Sequence, residues 1–321
     1  MTLDLTILTG FLGSGKTTLL REWLALPEAA GTAVIVNEVG DIGLDGAILA
    51  EGSGGLRMAM LDNGCVCCAL GGELAGTIED LLASTDTPPS RIVLETSGLS
   101  KPGPILRSLQ SLAGLRLRVS VLATFDCVRG TDVTGFEEAA AQWAGAGAIL
   151  LTRRDLATPA QIETAAATAA SLNPVAEIID QPDRAAALRA AFLPRPPAHG
   201  LPEPAGQAHP RISTFLARPS AALAWDDLAA WLDNLAGLLG ERLLRIKGLL
   251  AVEGSDHPIL VQSVGTLFSA PRPFPGPAAP FLVIITRDTA LRELAGLLPP
   301  LPITLTGANP FSPPPRRLRA G

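Results

Sequence analysis

The chain of 321 residues is poor in several residue types, and each shortage excludes a class of protein. It contains no tyrosine, and charged residues make up 17% of it, below the usual level of about 25%. No apolar run approaches the roughly 18 residues that a membrane-spanning helix needs. The first residues lack a basic region, so we expect a strand there rather than a signal peptide. We therefore expect a soluble, cytoplasmic protein with no membrane partner.

Excess positive charge and a disulfide framework are also missing. The formal net charge is −6 and the sequence pI is about 5.2, which disfavours non-specific binding to nucleic acid. Three of the four cysteines stand within four positions, at Cys65, Cys67 and Cys68, whereas a disulfide framework spreads its cysteines along the chain. We expect reduced thiols in a reducing compartment, and no nucleic-acid partner.

The distribution of apolar runs predicts two domains. Strand-like runs alternate with helical stretches up to residue 192, which indicates an α/β domain over 1–192 with a mostly parallel sheet flanked by helices. Prolines crowd the next stretch, 193–210, and predict a linker without regular structure. A smaller α+β domain is predicted over 211–311, followed by a disordered tail at 312–321.

The C-terminal domain shows fewer and shorter signals than the first. An amphipathic pattern predicts a helix at Trp225–Leu239, and a second helix is predicted at Thr289–Leu297. Strands are predicted at the apolar runs Ile212–Leu216, Leu243–Val252, Ile259–Val264 and Phe281–Thr286.

The most specific pattern in the chain is G-x-x-x-x-G-K-[ST], matched at every position of Gly10–Thr17 between a strand and a helix. Its glycines let backbone N–H groups face phosphate oxygens, and the helix N-terminus adds partial positive charge. Lys16 is expected to reach the β and γ phosphates, and the Thr17 hydroxyl to bind magnesium. The pattern predicts a nucleoside triphosphate with Mg²⁺, bound through Gly10, Gly13, Ser14, Gly15, Lys16, Thr17 and Thr18.

A second apolar strand ends in an acid, Glu95, with Gly98 three residues later. An acid at that position can hold magnesium directly or through water, and the glycine N–H can sense a γ-phosphate. The alternative is an ordinary strand followed by a turn, but the phosphate loop favours the functional interpretation. We therefore take Lys16, Thr17 and Glu95 as the candidate catalytic residues.

A third strand end carries Thr152, Arg153 and Asp155. A carboxylate there can accept two hydrogen bonds from the N1–H and N2–H₂ edge of guanine, a pair that adenine does not offer. The long side chain of Arg153 can lie over the base. A plain strand end with a solvated basic pair explains the same residues equally well.

The cysteine cluster, Cys65-Val-Cys67-Cys68, follows an acidic, glycine-rich stretch at 38–45 that is typical of a switch segment. Thiolates suit a soft divalent cation such as zinc. A tight turn can bring two or three of these thiols together, and a further ligand can come from Glu38, a histidine, a partner protein or water. Buried inert cysteines and a redox pair are the alternatives. Cys127, at the end of a strand, is interpreted as a core residue.

Four motifs in this order resemble the CobW-like metallochaperone GTPases: Gly10–Thr17, Asn37–Gly43, Gly64–Cys68 and Glu95–Leu99. The segment that begins at Arg245 is similar to the C-terminal domain of that family. The resemblance implies a P-loop GTPase domain and a smaller C-terminal domain. It also implies that the Cys-x-Cys-Cys motif binds zinc, cobalt or a similar ion, which is delivered to a client metalloprotein under control of GTP binding and hydrolysis.

The chain departs from the family at the guanine motif. The usual Asn-Lys-x-Asp is here Thr152-Arg153-Arg154-Asp155, which keeps the aspartate but loses the asparagine amide that braces the loop. We expect GTP to remain the nucleotide, and hydrolysis to be slow because no glutamine or arginine is assignable to it. The alternatives are a nucleotide-dependent thiol redox regulator and a nucleotide-binding scaffold that barely hydrolyses.

Overall fold

The computed structural model describes residues 3–37, 57–61, 73–83, 88–112, 114–193, 211–275, 280–298 and 300–307. The chain divides into two compact units, Met1–Ala205 and Gly206–Gly321. The predicted linker, beyond Leu193, and the predicted tail at 312–321 lie outside the described residues. The domain boundaries given above remain predictions.

The described part of the first unit contains seven strands, all parallel. They are β1 (Leu3–Thr9), β2 (Thr32–Asn37), β3 (Arg57–Leu61), β4 (Arg91–Glu95), β5 (Leu117–Asp126), β6 (Ala148–Thr152) and β7 (Glu177–Ile179). They form one sheet in the order β3-β2-β4-β1-β5-β6-β7. Every residue of β2 is buried, as expected for a parallel strand with both faces covered.

Helices connect these strands. Within the described residues they are α1 (Lys16–Leu24), α2 (Glu73–Ala83), α3 (Pro102–Ser108), α4 (Glu137–Gly145), α5 (Pro159–Leu172) and α6 (Arg184–Phe192). On one face of the sheet, the apolar side of α1 packs with α6 over β1, β2 and β4, and Trp23 stacks on Phe192 with ring centroids 5.0 Å apart. This packing fixes α1, and with it the loop that precedes α1.

Strand register brings the predicted functional positions to one edge of the sheet. Leu8 of β1 and Val36 of β2 both pair with Glu95 at the end of β4. On the other side of β1, Asp126 at the end of β5 pairs with Thr152 at the end of β6. In a parallel sheet this carboxyl edge is where ligands bind, so strand ends that are distant in sequence meet there.

The described part of the second unit contains an antiparallel sheet with helices. Its strands are β8 (Ile212–Pro219), β9 (Leu243–Leu250), β10 (Ile259–Val264), β11 (Leu267–Phe268), β12 (Arg272–Pro273), β13 (Phe281–Arg287) and β14 (Ile303–Gly307). They follow the order β11-β10-β9-β13-β8-β14, with β12 beside β10. The apolar face of α7 (Trp225–Leu239) packs on this sheet through Leu228, Trp231 and Leu235, and α8 (Leu291–Leu297) adds Leu294. The predicted fold class, an α/β domain plus a smaller α+β domain, is confirmed.

Several predicted element bounds in the second unit were wrong. The second helix begins at Leu291 rather than Thr289, because Asp288 has a left-handed backbone and the Thr289 hydroxyl closes a turn on the Arg287 carbonyl. The strand predicted to reach Val252 ends at Leu250. The strands β11 and β12 were not predicted, since each has two residues, too few to show an alternating pattern. The five-residue strand β14 was also not predicted.

Candidate functional site

The loop between β1 and α1 has the backbone that the glycine pattern requires. Gly10, Gly13 and Gly15 have φ values of 147°, 69° and 89°, which side chains rarely adopt. A Cβ atom on Gly10 would lie 2.0 Å from the Thr124 hydroxyl oxygen, so β5 also excludes a side chain there. Ser14, in the same loop, shares a hydrogen bond of 2.6 Å with that Thr124 hydroxyl. The loop is therefore tied to the end of β5 as well as to β1.

Lys16, the first residue of α1, folds back over this loop. Its Nζ donates to the carbonyl oxygen of Gly10 at 2.9 Å and to that of Phe11 at 3.4 Å, and 9% of the residue is exposed. The ammonium is thus held against the curve of the loop, beside the N-terminus of α1. Both groups offer positive potential to an anion in the same place.

Thr17 and Glu95 form the second part of the site. The Thr17 hydroxyl donates to Oε1 of Glu95 at 2.6 Å, and Glu95 is 3% exposed. Oxygen atoms of this kind are the ligands that Mg²⁺ prefers, and the hydroxyl belongs to the residue that follows Lys16. The residues present therefore fit a magnesium ion bound together with a phosphate.

The segment after β4 packs against the phosphate loop. The backbone N–H and the hydroxyl of Thr96 both donate to the Leu8 carbonyl, at 3.0 and 3.2 Å. A Cβ atom on Gly98 would lie 2.8 Å from the backbone N and Cα of Leu12. Only glycine permits this approach, so Gly98 lies directly against the Leu12 backbone of the phosphate loop.

The strand end at Thr152 contacts the other side of the same loop. The Thr152 hydroxyl is 2.8 Å from the Ser14 carbonyl and 3.2 Å from the Phe125 carbonyl, and can donate to either. The Thr152 hydroxyl therefore holds the phosphate loop by a hydrogen bond. An asparagine at this position is expected to make contacts of the same kind.

Arg153 and Asp155 follow Thr152 in the chain. Arg153 has a left-handed backbone, with φ of 54°, and its guanidinium pairs with Asp126 at 2.9 Å. Asp126 also accepts hydrogen bonds from the backbone N–H groups of Val128 and Arg129. Asp155 is exposed in a 3-10 turn at Arg154–Leu156. The carboxylate proposed to read the base is thus accessible, and Arg153 is anchored near it.

A cavity of about 610 Å³ joins these groups, a size within the usual range of roughly 300–1,000 Å³ for ligand sites. Its lining includes Gly13, Gly15, Lys16, Thr17, Thr18, Glu95, Gly98 and Arg153 from the predicted set. Gly10 accepts a hydrogen bond from Lys16 of that lining, whereas Ser14, Thr152 and Asp155 are not among the lining residues. Most predicted nucleotide-binding residues therefore surround one space.

The predicted metal ligands Glu38, Cys65, Cys67 and Cys68 lie outside the described residues, as does the segment 38–45. Within the part of the chain that the structure describes, no group of three or more His, Cys, Asp or Glu residues is arranged to hold a metal ion. Their role in metal binding therefore stays a prediction.

Cys127 is buried, as its assignment to the core predicted. Burial raises the pKa of its thiol from the ordinary value of 9.0 to about 11. The thiolate is the reactive form, so this cysteine is inert near neutral pH.

Other residues of the site were not among the predicted nucleotide-binding residues. Asn37, at the end of β2, lines the cavity and is 2% exposed, and neither atom of its amide has a hydrogen-bond partner among the described residues. Thr124 and Gln142 reach the phosphate loop and the Gly98 segment from β5 and α4. Strand alternation indicates that Thr124 and Asp126 end a strand, but Gln142 sits in a helix of alanines and shows no motif.

None of the described helices is long and apolar enough to cross a membrane.

Comparison with known families matches both units. The model described as "CobW/HypB/UreG, nucleotide-binding domain" matches residues 4–180, and that described as "Cobalamin synthesis protein cobW C-terminal domain" matches residues 212–298. The resemblance seen in the sequence motifs is confirmed.

Named relatives agree with this match. The zinc chaperone YjiA of Escherichia coli (strain K12) is 31% identical over 282 residues, which cover 83% of this chain and 87% of that protein. The zinc chaperone CobW of Sinorhizobium sp is 28% identical, over 81% of this chain and 84% of that protein. The crystal structure of Zn(II)-bound YjiA GTPase from E. coli has the same fold, with a TM-score of 0.67 at 24% identity, covering 93% of this chain and 100% of that one.

Proposed function

The chain belongs to the CobW/HypB/UreG family of P-loop GTPases, and from that premise we propose that it is a GTP-hydrolysing metallochaperone. In this proposal it binds zinc, or cobalt, through Cys65, Cys67 and Cys68 and delivers the ion to a client metalloprotein. The observation that carries the proposal is the cavity that joins Lys16, Thr17 and Glu95. The zinc chaperone relatives over most of the chain support the metal.

Each group at the cavity has a part in binding GTP. The loop N–H groups and the N-terminus of α1 face the phosphates, and the Lys16 ammonium neutralises the charge of the terminal ones. Thr17 and Glu95 supply oxygen ligands for magnesium, which when bound polarises the phosphate oxygens. The Gly98 N–H distinguishes GTP from GDP by donating to the γ-phosphate. Asp155 selects guanine by accepting from its N1–H and N2–H₂.

The strand register favours coupling between the nucleotide and the thiols. Asn37 at the end of β2 pairs with Leu61 at the end of β3, and β2 also borders β4, which ends in Glu95. Neighbouring strands lie about 4.8 Å apart, so Leu61 leaves the sheet within roughly 10 Å of Glu95. Cys65 is four residues beyond Leu61, a reach of at most about 14 Å. Glu38 directly follows Asn37. Chain connectivity therefore allows the proposed metal ligands to come near the proposed magnesium site.

This proximity gives a mechanism for timed release. GTP and magnesium order the segment 38–45, which brings Glu38 and the three thiols into a metal-binding arrangement. Hydrolysis removes the γ-phosphate and loosens that arrangement, so the ion passes to the client. Thermodynamic reciprocity then requires the metal to tighten GTP binding by the same factor that GTP tightens metal binding.

A competition experiment tests the proposal. Zinc and cobalt are titrated against a chelating probe in protein loaded with GDP or with a non-hydrolysable GTP analogue. We expect tighter metal binding with the analogue, and loss of that binding in Cys67→Ser. Cys127→Ala is the matched control, since Cys127 is the remaining cysteine and is buried. Equal metal affinity in both nucleotide states contradicts the coupling.

Simple measurements distinguish the proposal from the two alternatives that the sequence left open. A thiol redox regulator would contain no stoichiometric metal after purification under reducing conditions. A scaffold that binds nucleotide would show no GTP turnover above that of Lys16→Ala in a steady-state assay. We expect a metal-bound protein whose intrinsic GTPase rate is slow but exceeds that of the variant.

A further inference from the structure

Gln142, on α4, holds the segment that follows β4. Its side chain is fully buried, and its Nε2 donates to the carbonyl oxygens of Gly98 and Ser100, each at 3.0 Å. Both carbonyls belong to the segment that carries the proposed γ-phosphate contact. A single amide group therefore fixes two peptide units of this segment.

The Gly98 segment is confined on its other side by the phosphate loop. The Leu12 backbone leaves no room for a Cβ atom on Gly98, which would lie 2.8 Å from it. The segment is thus held between Leu12 and Gln142. Movement of Gly98 away from the phosphate loop would break the Gln142 hydrogen bonds, and movement toward the loop is blocked by contact.

The helix that carries Gln142 is itself tied to the phosphate loop. Trp143 donates from its indole N–H to the Thr124 carbonyl at 3.0 Å, and its ring packs on Phe125 at 4.6 Å between centroids. The Thr124 hydroxyl in turn shares its hydrogen bond with Ser14. Contacts therefore run from the phosphate loop through β5 and α4 back to Gly98. They fix the position of the backbone that carries Gln142.

The oxygen atom of the Gln142 amide shows which of its contacts matter. Oε1 of Gln142 is buried and has no hydrogen-bond partner in the described ranges. An unpaired buried acceptor is unfavourable, so Oε1 does not explain why a glutamine stands at this position. The hydrogen bonds that Nε2 donates to the carbonyls of Gly98 and Ser100 are the polar contacts that this side chain contributes.

We propose that Gln142 is a positioning residue for the γ-phosphate, because its two hydrogen bonds hold the Gly98 N–H where it distinguishes GTP from GDP. The inference rests on the proposed function and adds a residue to it. Gln142 does not touch the nucleotide in this account. It acts through Gly98, so its loss should change the selectivity between the two nucleotides rather than binding in general.

The test compares Gln142→Met with wild type in the full-length protein. Methionine keeps the length and removes both donors. Dissociation constants for a fluorescent GDP and for a fluorescent non-hydrolysable GTP analogue are measured with magnesium present. We expect the affinity for the GTP analogue to fall about tenfold, the worth of one hydrogen bond to a charged group, and the GDP affinity to stay within about twofold.

Asn173, which directly follows α5, offers a matched control that holds the same helix, α4. It is also a fully buried amide, and its Nδ2 donates to the carbonyls of Trp143, Ala144 and Ala146 at the C-terminal end of α4. Asn173→Leu should lower the melting temperature and leave the ratio of the two affinities unchanged. If Gln142→Met does not fold, Gln142→Leu, which is shorter and also lacks the donor, takes its place and should show the same selective loss.

The outcomes separate this inference from the function on which it rests. A wild-type protein that binds neither nucleotide contradicts both. A wild type that binds both nucleotides, with a Gln142 variant that weakens them equally or not at all, overturns the role of Gln142 alone. A shift in the affinity ratio for Asn173→Leu as large as that for Gln142→Met would also overturn it, since the effect would then be a general one of α4.

Discussion

Single oxygen atoms determine the proposed chemistry of the cavity. The Thr17 hydroxyl and the Glu95 carboxylate are joined by a hydrogen bond of 2.6 Å, and both line the space beside Lys16. The lysine contributes charge to any phosphate, whereas the two oxygens matter only for a cation. A substitution that removes one oxygen and keeps the shape therefore separates magnesium binding from phosphate binding.

Thr17→Val should abolish the effect of magnesium on nucleotide affinity. Valine has the same shape as threonine without the hydroxyl, so we expect GDP affinity in magnesium to fall by at least about tenfold, to the value measured with a chelator. Thr17→Ser keeps the hydroxyl and should behave like wild type. Titration of fluorescent GDP with and without magnesium checks this, and a magnesium effect that persists in Thr17→Val would contradict it.

Asp155→Asn should change the base that is preferred. An asparagine amide cannot accept both guanine N–H groups, but it can accept from N1–H and donate to the carbonyl that xanthine has in place of the guanine amino group. We expect weaker GDP binding and stronger xanthosine diphosphate binding. Competition between the two diphosphates measures it, and unchanged GDP preference would show that Asp155 does not read the base.

Cys127 should be unreactive and should make stability depend on alkaline pH. Burial raises its pKa to about 11, so the folded protein disfavours the thiolate. The stability from keeping this thiol protonated is complete below the pKa of the unfolded chain and is lost as pH rises toward about 11. In a variant with Cys65, Cys67 and Cys68 changed to serine, alkylation at pH 8 should be slow until urea unfolds the protein. Rapid alkylation of the folded variant would contradict this.

The loop between β1 and α1 needs glycine because its backbone has positive φ angles. Gly10 has φ of 147° and touches Thr124, and Gly15 precedes α1 with φ of 89°. These values let the chain turn sharply enough for the loop N–H groups to face inward. The bonds of Ser14 to Thr124 and Thr152 then hold the turn from two further strands.

Alanine should have opposite effects at two glycines. Gly10→Ala forces a Cβ atom into Thr124 and a strained φ, so we expect a loss of about 1–3 kcal/mol in the free energy of unfolding. Gly237 lies exposed within α7 with open space around it, so Gly237→Ala should add about 0.5–1 kcal/mol. Urea unfolding checks both. Equal effects of the two substitutions would mean that the loop geometry described here is wrong.

The whole molecule consists of two units, each with a core of its own. In the first, Leu19, Trp23 and Phe192 pack over the parallel sheet, and in the second Trp231 and Ile284 pack between α7 and the antiparallel sheet. Every residue that lines the cavity belongs to the first unit. Nucleotide binding should therefore stabilise the first unit against unfolding.

Hydrogen exchange should show this division. A ligand at 100 times its dissociation constant stabilises the state that binds it by about 2.7 kcal/mol. With magnesium and GDP at that level, we expect slower exchange in β1, α1 and β4, and little change in β9 and α7. Equal protection in both units would show that the second unit unfolds together with the first.

The sequence by itself determined the features that depend on neighbouring residues. The phosphate loop needs glycines at fixed spacing because consecutive peptide groups must face one anion, and the Cys-x-Cys-Cys pattern predicts a metal site because its ligands are contiguous. The alternation of apolar runs was enough to predict the α/β class, whereas Asp155 predicted guanine only together with the other motifs of the family.

Only the tertiary structure decided which distant side chains support these motifs. Thr124 reaches Ser14 from 110 positions away, and Gln142 reaches Gly98 from 44. Strand order and register set these contacts, and both follow from packing across the whole sheet rather than from local propensity. The two-residue strands β11 and β12 were missed for the same reason, since pairing with a neighbour, not their own sequence, makes them strands.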